Sequence, residues 1–137
     1  MTVIPDPPPI PIREGTDILL ARKVSRELAA ALCLGAADQT RIATAVSELT
    51  RNVLQYAGEG LCRVTNESDP IMVRIGVEVT DTGPGIPDLE QALRDGYSTG
   101  GGLGAGLPGT RRLMNEFQIE STPNGTRVMI RMIRPRR

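Results

Sequence analysis

The sequence predicts an α+β fold, a two-layer α/β sandwich in which helices pack on one face of a mixed, mostly antiparallel sheet. Three observations support this class. Two stretches in the N-terminal half carry apolar residues at helical spacing, residues 71–81 alternate with a period of two, and Asn124-Gly125 marks a C-terminal hairpin. Helices followed by strands favour separate helical and sheet layers.

The N-terminal half is predicted to contain an arm and two helices. Residues 1–13 are rich in proline, which predicts an extended arm that ends in a short edge strand. A helix begins near Asp17 and ends by Gly35, because apolar residues follow at helical spacing: Ile18, Ala21, Val24, Leu28 and Leu32. A second helix covers 37–57, and Gly58 is suited to its C-terminal end.

The C-terminal half is predicted to supply most of the sheet. The remaining elements are strands over 61–65 and 71–81, a short helix near 89–94, a glycine-rich loop, a helix over 107–117, hairpin strands over 118–121 and 126–133, and a solvated tail over 134–137. No repeat or second domain is visible. We therefore expect the arm, residues 1–13, and one domain, residues 14–137.

Composition excludes several classes of function. Lysine plus arginine equals aspartate plus glutamate at 16 each, and there are only three aromatic residues, so neither nucleic acid nor membrane is expected as a partner. No apolar run reaches transmembrane length, and a cytoplasmic location is expected. The absence of histidine excludes Ser-His and Cys-His nucleophiles and an internal phosphohistidine relay. The single lysine, Lys23, lies in a helix and fits neither the P-loop nor the usual protein kinase pattern.

The second helix carries a candidate catalytic pair. Stepping 100° per residue places Glu48 and Asn52 on the same side, at the rim of the apolar stripe, and Arg51 opposite the core. An asparagine oxygen is a hard ligand suited to Mg²⁺, and a carboxylate can accept a hydroxyl proton. Taken alone, such a pair is more often an ordinary exposed Glu/Asn pair on a helix than a catalytic one.

Two further motifs follow in the chain. In DTGPGIPD, Asp81 ends a strand, where it can accept hydrogen bonds from an amine such as that of adenine; Gly83 and Gly85 allow close approach of a planar base, although a strand-to-helix turn needs the same residues. Five of the seven residues from Gly100 to Gly106 are glycine, and a helix start follows. Bare backbone N–H groups at a helix N-terminus can wrap a triphosphate, and a glycine loop can close as a lid; the alternative is a disordered linker.

The combination and order of these motifs resemble the GHKL ATPase/kinase superfamily, and within it the RsbT-type serine/threonine kinases of the bacterial stressosome. The resemblance rests on RIATAVSELTRNVLQYAG, DTGPGIPD and DGYSTGGGLGAGLPGTRRLM, with Gly-Thr before the final strand. It covers nearly the whole chain after Arg13 and departs at Gly100, where serine is more usual, and in the proline-rich arm. It implies the Bergerat-type sandwich and the cofactors ATP and Mg²⁺.

The resemblance also implies roles for individual residues. Glu48 would be the general base, Asn52 would hold Mg²⁺, Asp81 would recognise adenine, and Thr126 would lie under the nucleotide. The other nucleotide-binding residues that it implies are Gly83, Gly85, Ile86, Ser98, Thr99, Gly102, Leu103, Gly104, Ala105, Gly106 and Leu107.

By the same resemblance, the substrates would be STAS-domain proteins, the RsbS-like and RsbR-like stressosome subunits, in a partner-switching stress response. The released kinase would then activate an output protein such as an RsbU-like phosphatase. Two alternatives stay open: an anti-sigma factor kinase that binds a sigma factor, and an interaction module in which the nucleotide only sets the conformation. The Glu48–Asn52 pair argues against the second, since a binding module needs no base.

Overall fold

Alternating strand residues build a single sheet that carries the helices on one face. The computed structural model describes residues 4–94 and 106–136. Within them the elements are β1 (Ile10–Ile12), α1 (Gly15–Ala31), α2 (Ala36–Tyr56), β2 (Gly60–Asn66), β3 (Met72–Asp81), α3 (Leu89–Ala92), α4 (Gly106–Leu113), β4 (Glu116–Thr122) and β5 (Gly125–Pro135). The strand order is β1-β2-β3-β5-β4, and all neighbours are antiparallel.

The core lies between the sheet and the two long helices. Alternate residues of β3 and β5 are buried on one face: Val73, Ile75, Val77, Val79, Val128, Ile130 and Met132. They pack in one cluster with the apolar faces of α1 and α2, including Ala21, Leu28, Ile42, Val46 and Leu49. The predicted α+β sandwich is confirmed, and its sheet is antiparallel rather than mixed.

The proline-rich arm continues into the sheet edge. Ile10 and Ile12 are buried, and β1 pairs with the first residues of β2. Further along β2, Asn66 donates its backbone N–H to Asp6 (2.7 Å) and its amide to the Ile4 carbonyl (3.1 Å). The predicted edge strand is therefore present, and side-chain hydrogen bonds hold the preceding residues along the same edge.

Two predictions in the C-terminal part were wrong. The helix expected to reach Phe117 ends at Leu113, because β4 begins at Glu116 and Phe117 packs against the core as a strand residue. The expected solvated tail is also ordered at Arg134, which lies in β5 and pairs with Asp38 of α2 at 3.1 Å. A partner 96 positions away in the sequence is invisible to a local pattern.

No helix in the part of the chain that the structure describes is both long enough and apolar enough to span a lipid bilayer.

Candidate active site

The site is centred on the carboxylate that ends β3. Asp81 Oδ1 accepts hydrogen bonds from the backbone N–H groups of Gly83 (3.0 Å) and Thr126 (3.2 Å). No described residue donates to Oδ2. One oxygen thus fixes the side chain against the turn and the start of β5, and the other is available to a donor such as an exocyclic amine.

The two glycines of the turn lie against neighbouring elements of the protein. A Cβ added at Gly83 would meet the Cβ of Ala57 and lie 2.7 Å from its Cα, at the end of α2. Gly85 has a φ of +84°, and a Cβ there would collide with the carbonyl oxygen of Thr122 at the end of β4. Glycine is therefore required here by packing within the protein, whatever ligand approaches.

A chain of hydrogen bonds connects the turn to the C-terminal hairpin. The backbone N–H of Ile86 donates to Ser121 Oγ at 2.8 Å, and the hydroxyls of Ser121 and Thr126 lie 2.9 Å apart. Thr126 is buried and Ile86 is partly buried. Sequence reasoning did not identify Ser121, because a serine at the end of a hairpin strand carries no motif of its own.

The carboxylate and carboxamide of α2 lie one turn apart, as predicted. Glu48 is buried rather than at an exposed rim, with 8% of its surface accessible, and its Oε1 accepts a hydrogen bond from Arg51 Nη1 at 2.6 Å. Oε2 makes no hydrogen bond with a described residue. The Asn52 side chain is partly buried and has no hydrogen-bond partner in residues 4–94 and 106–136.

The ion pair between Glu48 and Arg51 was missed at the sequence level. The helical wheel placed Arg51 opposite the core, yet its long side chain reaches Glu48 across the i,i+3 spacing. The spacing itself is the signal that could have identified the pair.

A cavity of about 190 Å³ lies between α2 and α4, beside Glu48. Its lining comprises Thr44, Glu48, Gly109, Thr110, Arg112 and Leu113. Gly106, with a φ of +66°, begins α4, and Leu107 is buried. The other predicted lid residues, Ser98, Thr99, Gly102, Leu103, Gly104 and Ala105, lie outside the described residues.

The donor set suits a metal that arrives with a nucleotide. The described residues contain no group of three or more His, Cys, Asp or Glu side chains able to hold a metal ion. Asn52 offers an amide oxygen that no residue in 4–94 or 106–136 hydrogen-bonds, one turn from Glu48, and Mg²⁺ commonly takes one or two protein oxygens and completes its shell with phosphates and water. Cysteine chemistry is not available from Cys62, because burial raises the pKa of its thiol to about 12.

Comparison with known proteins identifies the family. The family described as "Histidine kinase-, DNA gyrase B-, and HSP90-like ATPase" matches residues 37–136. The chain belongs to this ATPase family. It is 48% identical to the serine/threonine-protein kinase RsbT of Bacillus subtilis over 105 residues. The matched region covers 77% of this chain and 79% of RsbT. The expected RsbT-type protein kinase of the GHKL superfamily is confirmed.

The chain is also similar to a more distant curated protein, and two solved structures share its fold. The chain is 33% identical to the anti-sigma F factor of Caldanaerobacter subterraneus over 82% of this chain and 80% of that one. The fold matches the RsbU and RsbW domains of a Mycobacterium tuberculosis protein, with a TM-score of 0.63, 19% identity, and coverage of 96% of this chain and 34% of that chain. It also matches the SiaB-SiaC complex of Pseudomonas aeruginosa, with a TM-score of 0.61, 11% identity, and coverage of 94% and 91%.

Proposed function

We propose that this ATPase-family member is an ATP- and Mg²⁺-dependent serine/threonine kinase that phosphorylates STAS-domain proteins in a partner-switching stress pathway. The observation that carries the proposal is the Glu48–Asn52 pair on α2. Glu48 is a buried carboxylate that lines a cavity, and Asn52 lies one turn away. Within the described residues, Glu48 Oε2 and the Asn52 amide have no hydrogen-bond partner. A module that only bound a nucleotide would not need Glu48 as a general base.

The remaining site residues bind and orient the nucleotide in this proposal. Asp81 Oδ2 accepts from the adenine amine, and Asn52 supplies a protein oxygen to the metal. Bound Mg²⁺ would neutralise phosphate charge. Adenine would contact Gly83, Gly85, Ile86 and Thr126. The phosphates would bind to the glycine-rich segment before α4 and to the first residues of α4: Ser98, Thr99, Gly102, Leu103, Gly104, Ala105, Gly106 and Leu107.

Glu48 moves the proton. Its Oε2 takes the hydrogen of the acceptor serine or threonine as the hydroxyl oxygen attacks the γ-phosphorus and ADP leaves with the electrons of the broken P–O bond. Arg51 holds Oε1 at 2.6 Å, which keeps the carboxylate in one orientation while Oε2 stays available.

The proposed partners are based on the proteins that this chain resembles in sequence and fold. RsbT is 48% identical, and fold neighbours include RsbU and RsbW domains in one chain and a two-protein complex. We propose RsbS-like and RsbR-like STAS proteins as substrates, and an RsbU-like phosphatase as the output protein that the released kinase activates.

A second candidate is an anti-sigma factor kinase that binds a sigma factor. The observation that favours it is the 33% identity to an anti-sigma F factor over 116 residues. The higher identity to RsbT over a similar share of the chain favours the first proposal.

Incubation with Mg-ATP and purified STAS-domain proteins tests the proposal. We expect transfer of one phosphoryl group to a serine or threonine of the STAS protein, located by mass spectrometry, and loss of transfer with Glu48→Gln. Transfer to no STAS protein, together with stable capture of a purified sigma factor, would replace the first candidate with the second.

A further inference from the structure

The cavity of about 190 Å³ between α2 and α4 shares only Glu48 with the proposed kinase site. Its other lining residues are Thr44 from α2 and Gly109, Thr110, Arg112 and Leu113 from α4. Neither Asn52 nor any other described residue assigned to the nucleotide lines it. Sites that hold whole drug-sized ligands have volumes of roughly 300–1,000 Å³, so this cavity suits a single side chain with its backbone rather than a nucleotide.

The cavity extends along α2 on the side of Glu48 that is away from Asn52. Thr44 and Asn52 each lie four residues from Glu48, which places them about 6 Å from it along the helix axis, in opposite directions. In phosphoryl transfer, the attacking and leaving oxygens lie roughly in line with the phosphorus between them. With the phosphates on the Asn52 side, as proposed above, the acceptor oxygen therefore approaches Glu48 from the Thr44 side.

Thr44 brings to this cavity a hydroxyl that no described residue hydrogen-bonds. The buried hydroxyls of Ser47, Thr50 and Thr110 differ, since each donates to the backbone carbonyl one helical turn earlier, at 2.8–3.1 Å. Thr44 is only half-buried and lines the cavity. Its hydroxyl is therefore available to a group that enters the cavity, and it can either donate or accept a hydrogen bond.

We propose that this cavity receives the acceptor serine or threonine of the protein substrate, and that Thr44 binds the backbone beside that residue by a hydrogen bond. The inference rests on the proposed kinase function and adds a subsite for its second substrate. In the step, the acceptor oxygen bonds to the γ-phosphorus, its proton passes to Glu48 Oε2, and ADP leaves with the electron pair of the broken P–O bond. Thr44 holds the acceptor segment for this attack and exchanges no proton.

Substitutions at Thr44 test the hydroxyl and the cavity separately. Thr44→Val removes the hydroxyl at nearly constant size, Thr44→Ser retains it, and Thr44→Met fills the cavity with a longer side chain. Thr40→Val is the control, because Thr40 is exposed one turn earlier on α2 and does not line the cavity. For each variant, KM and kcat are measured for transfer from Mg-ATP to a purified STAS-domain protein, and the Kd of Mg-ATP is measured by titration without that protein.

We expect Thr44→Val to raise the KM for the STAS-domain protein about threefold to tenfold, the net contribution of one hydrogen bond. Its kcat and its Kd for Mg-ATP should stay close to wild type, because an interaction that is equally strong in the ground state and the transition state changes KM alone. Thr44→Ser and Thr40→Val should keep the wild-type KM. Thr44→Met should raise KM further than Thr44→Val does, or abolish transfer while Mg-ATP still binds.

A wild-type KM in Thr44→Met would overturn the proposal, because the acceptor would then not enter the cavity. An equal KM in Thr44→Val and Thr44→Ser would overturn the role of the hydroxyl. A parallel rise in the Kd of Mg-ATP would reduce Thr44 to a structural support for α2. If the wild-type protein transferred no phosphoryl group to any STAS-domain protein, the proposed function would fail together with this subsite, whereas transfer by wild type and all variants at one KM would overturn only the subsite.

Discussion

Gly83 joins the turn after Asp81 to the end of α2, and Gly83→Ala should damage both stability and nucleotide binding. The new Cβ would lie 2.7 Å from Ala57 Cα and 3.2 Å from the Tyr56 carbonyl oxygen, against 3.4 Å or more for an ordinary contact. Those atoms belong to the backbone of the last residue of α2 and of the residue that caps it, so relief requires the turn and the helix end to separate. Asp81 and Asn52 would separate with them.

The expected size follows from the cost of overpacking. Forcing an extra carbon into a well-packed site costs about 1–3 kcal/mol, which for a domain of this size lowers the melting temperature by roughly 3–15 °C. We expect ATP affinity, measured by calorimetry at a temperature where the variant is folded, to fall at the same time.

The chain offers two controls. A Cβ added at Gly15 meets nothing within 4 Å, so Gly15→Ala should leave both measurements near wild type. Adding Ala57→Gly to Gly83→Ala removes the nearest obstructing atom and should restore part of the loss. Wild-type melting temperature and ATP affinity in Gly83→Ala would refute the packing argument, because the turn would then have space that the structure denies it.

Four further changes test other parts of the site and fold. Glu48→Gln should lower the rate of phosphotransfer by about 10²–10⁴ while ATP affinity persists, and equal loss of both would indicate a structural role. Asn52→Ala should abolish the Mg²⁺ dependence of ATP binding in a titration with and without the metal, with the melting temperature retained because no described residue hydrogen-bonds the amide. Asp81→Asn should weaken ATP binding and reduce the preference for ATP over GTP. The expected change in affinity is about 5- to 150-fold, the effect of one unpaired polar group. If the wild-type protein bound ATP and GTP equally well, Asp81 would not be the residue that recognises the base. Burial raises the pKa of Asp38, but hydrogen bonds from Arg134 and Arg41 outweigh it and hold the pKa below its usual 3.8. A carboxyl whose pKa is lowered in the folded state stabilises the fold at pH values above its unfolded pKa, and this stabilisation is lost as the pH falls. Asp38→Asn should therefore lower the free energy of unfolding at pH 6, and the difference from wild type should decrease as the pH falls below 3.8. A difference in denaturant titrations that does not depend on pH would contradict this.

The local patterns of the sequence were enough to predict most elements. Strict alternation over residues 71–81 identified β3, because a strand buried on one face must alternate, and Asn124-Gly125 located the hairpin. The same reasoning placed Glu48 and Asn52 together, since residues four apart on a helix share a face whatever surrounds them. The end of α4 was not predicted, because no local sequence pattern indicates that the helix stops at Leu113 and that Phe117 belongs to a strand.

Contacts between distant parts of the chain were decided only by the tertiary structure. Arg134 meets Asp38, and Ser121 meets Ile86, because the antiparallel sheet brings the end of β5 to α2 and the end of β4 to the turn after Asp81. A sequence motif shows which residue types a site needs but not why it needs them. From the motif, Gly83 was predicted to be glycine because a planar nucleotide base approaches the backbone there. The structure shows that Ala57 already occupies the space a side chain would take, a constraint set by two segments packing together and therefore absent from either segment alone.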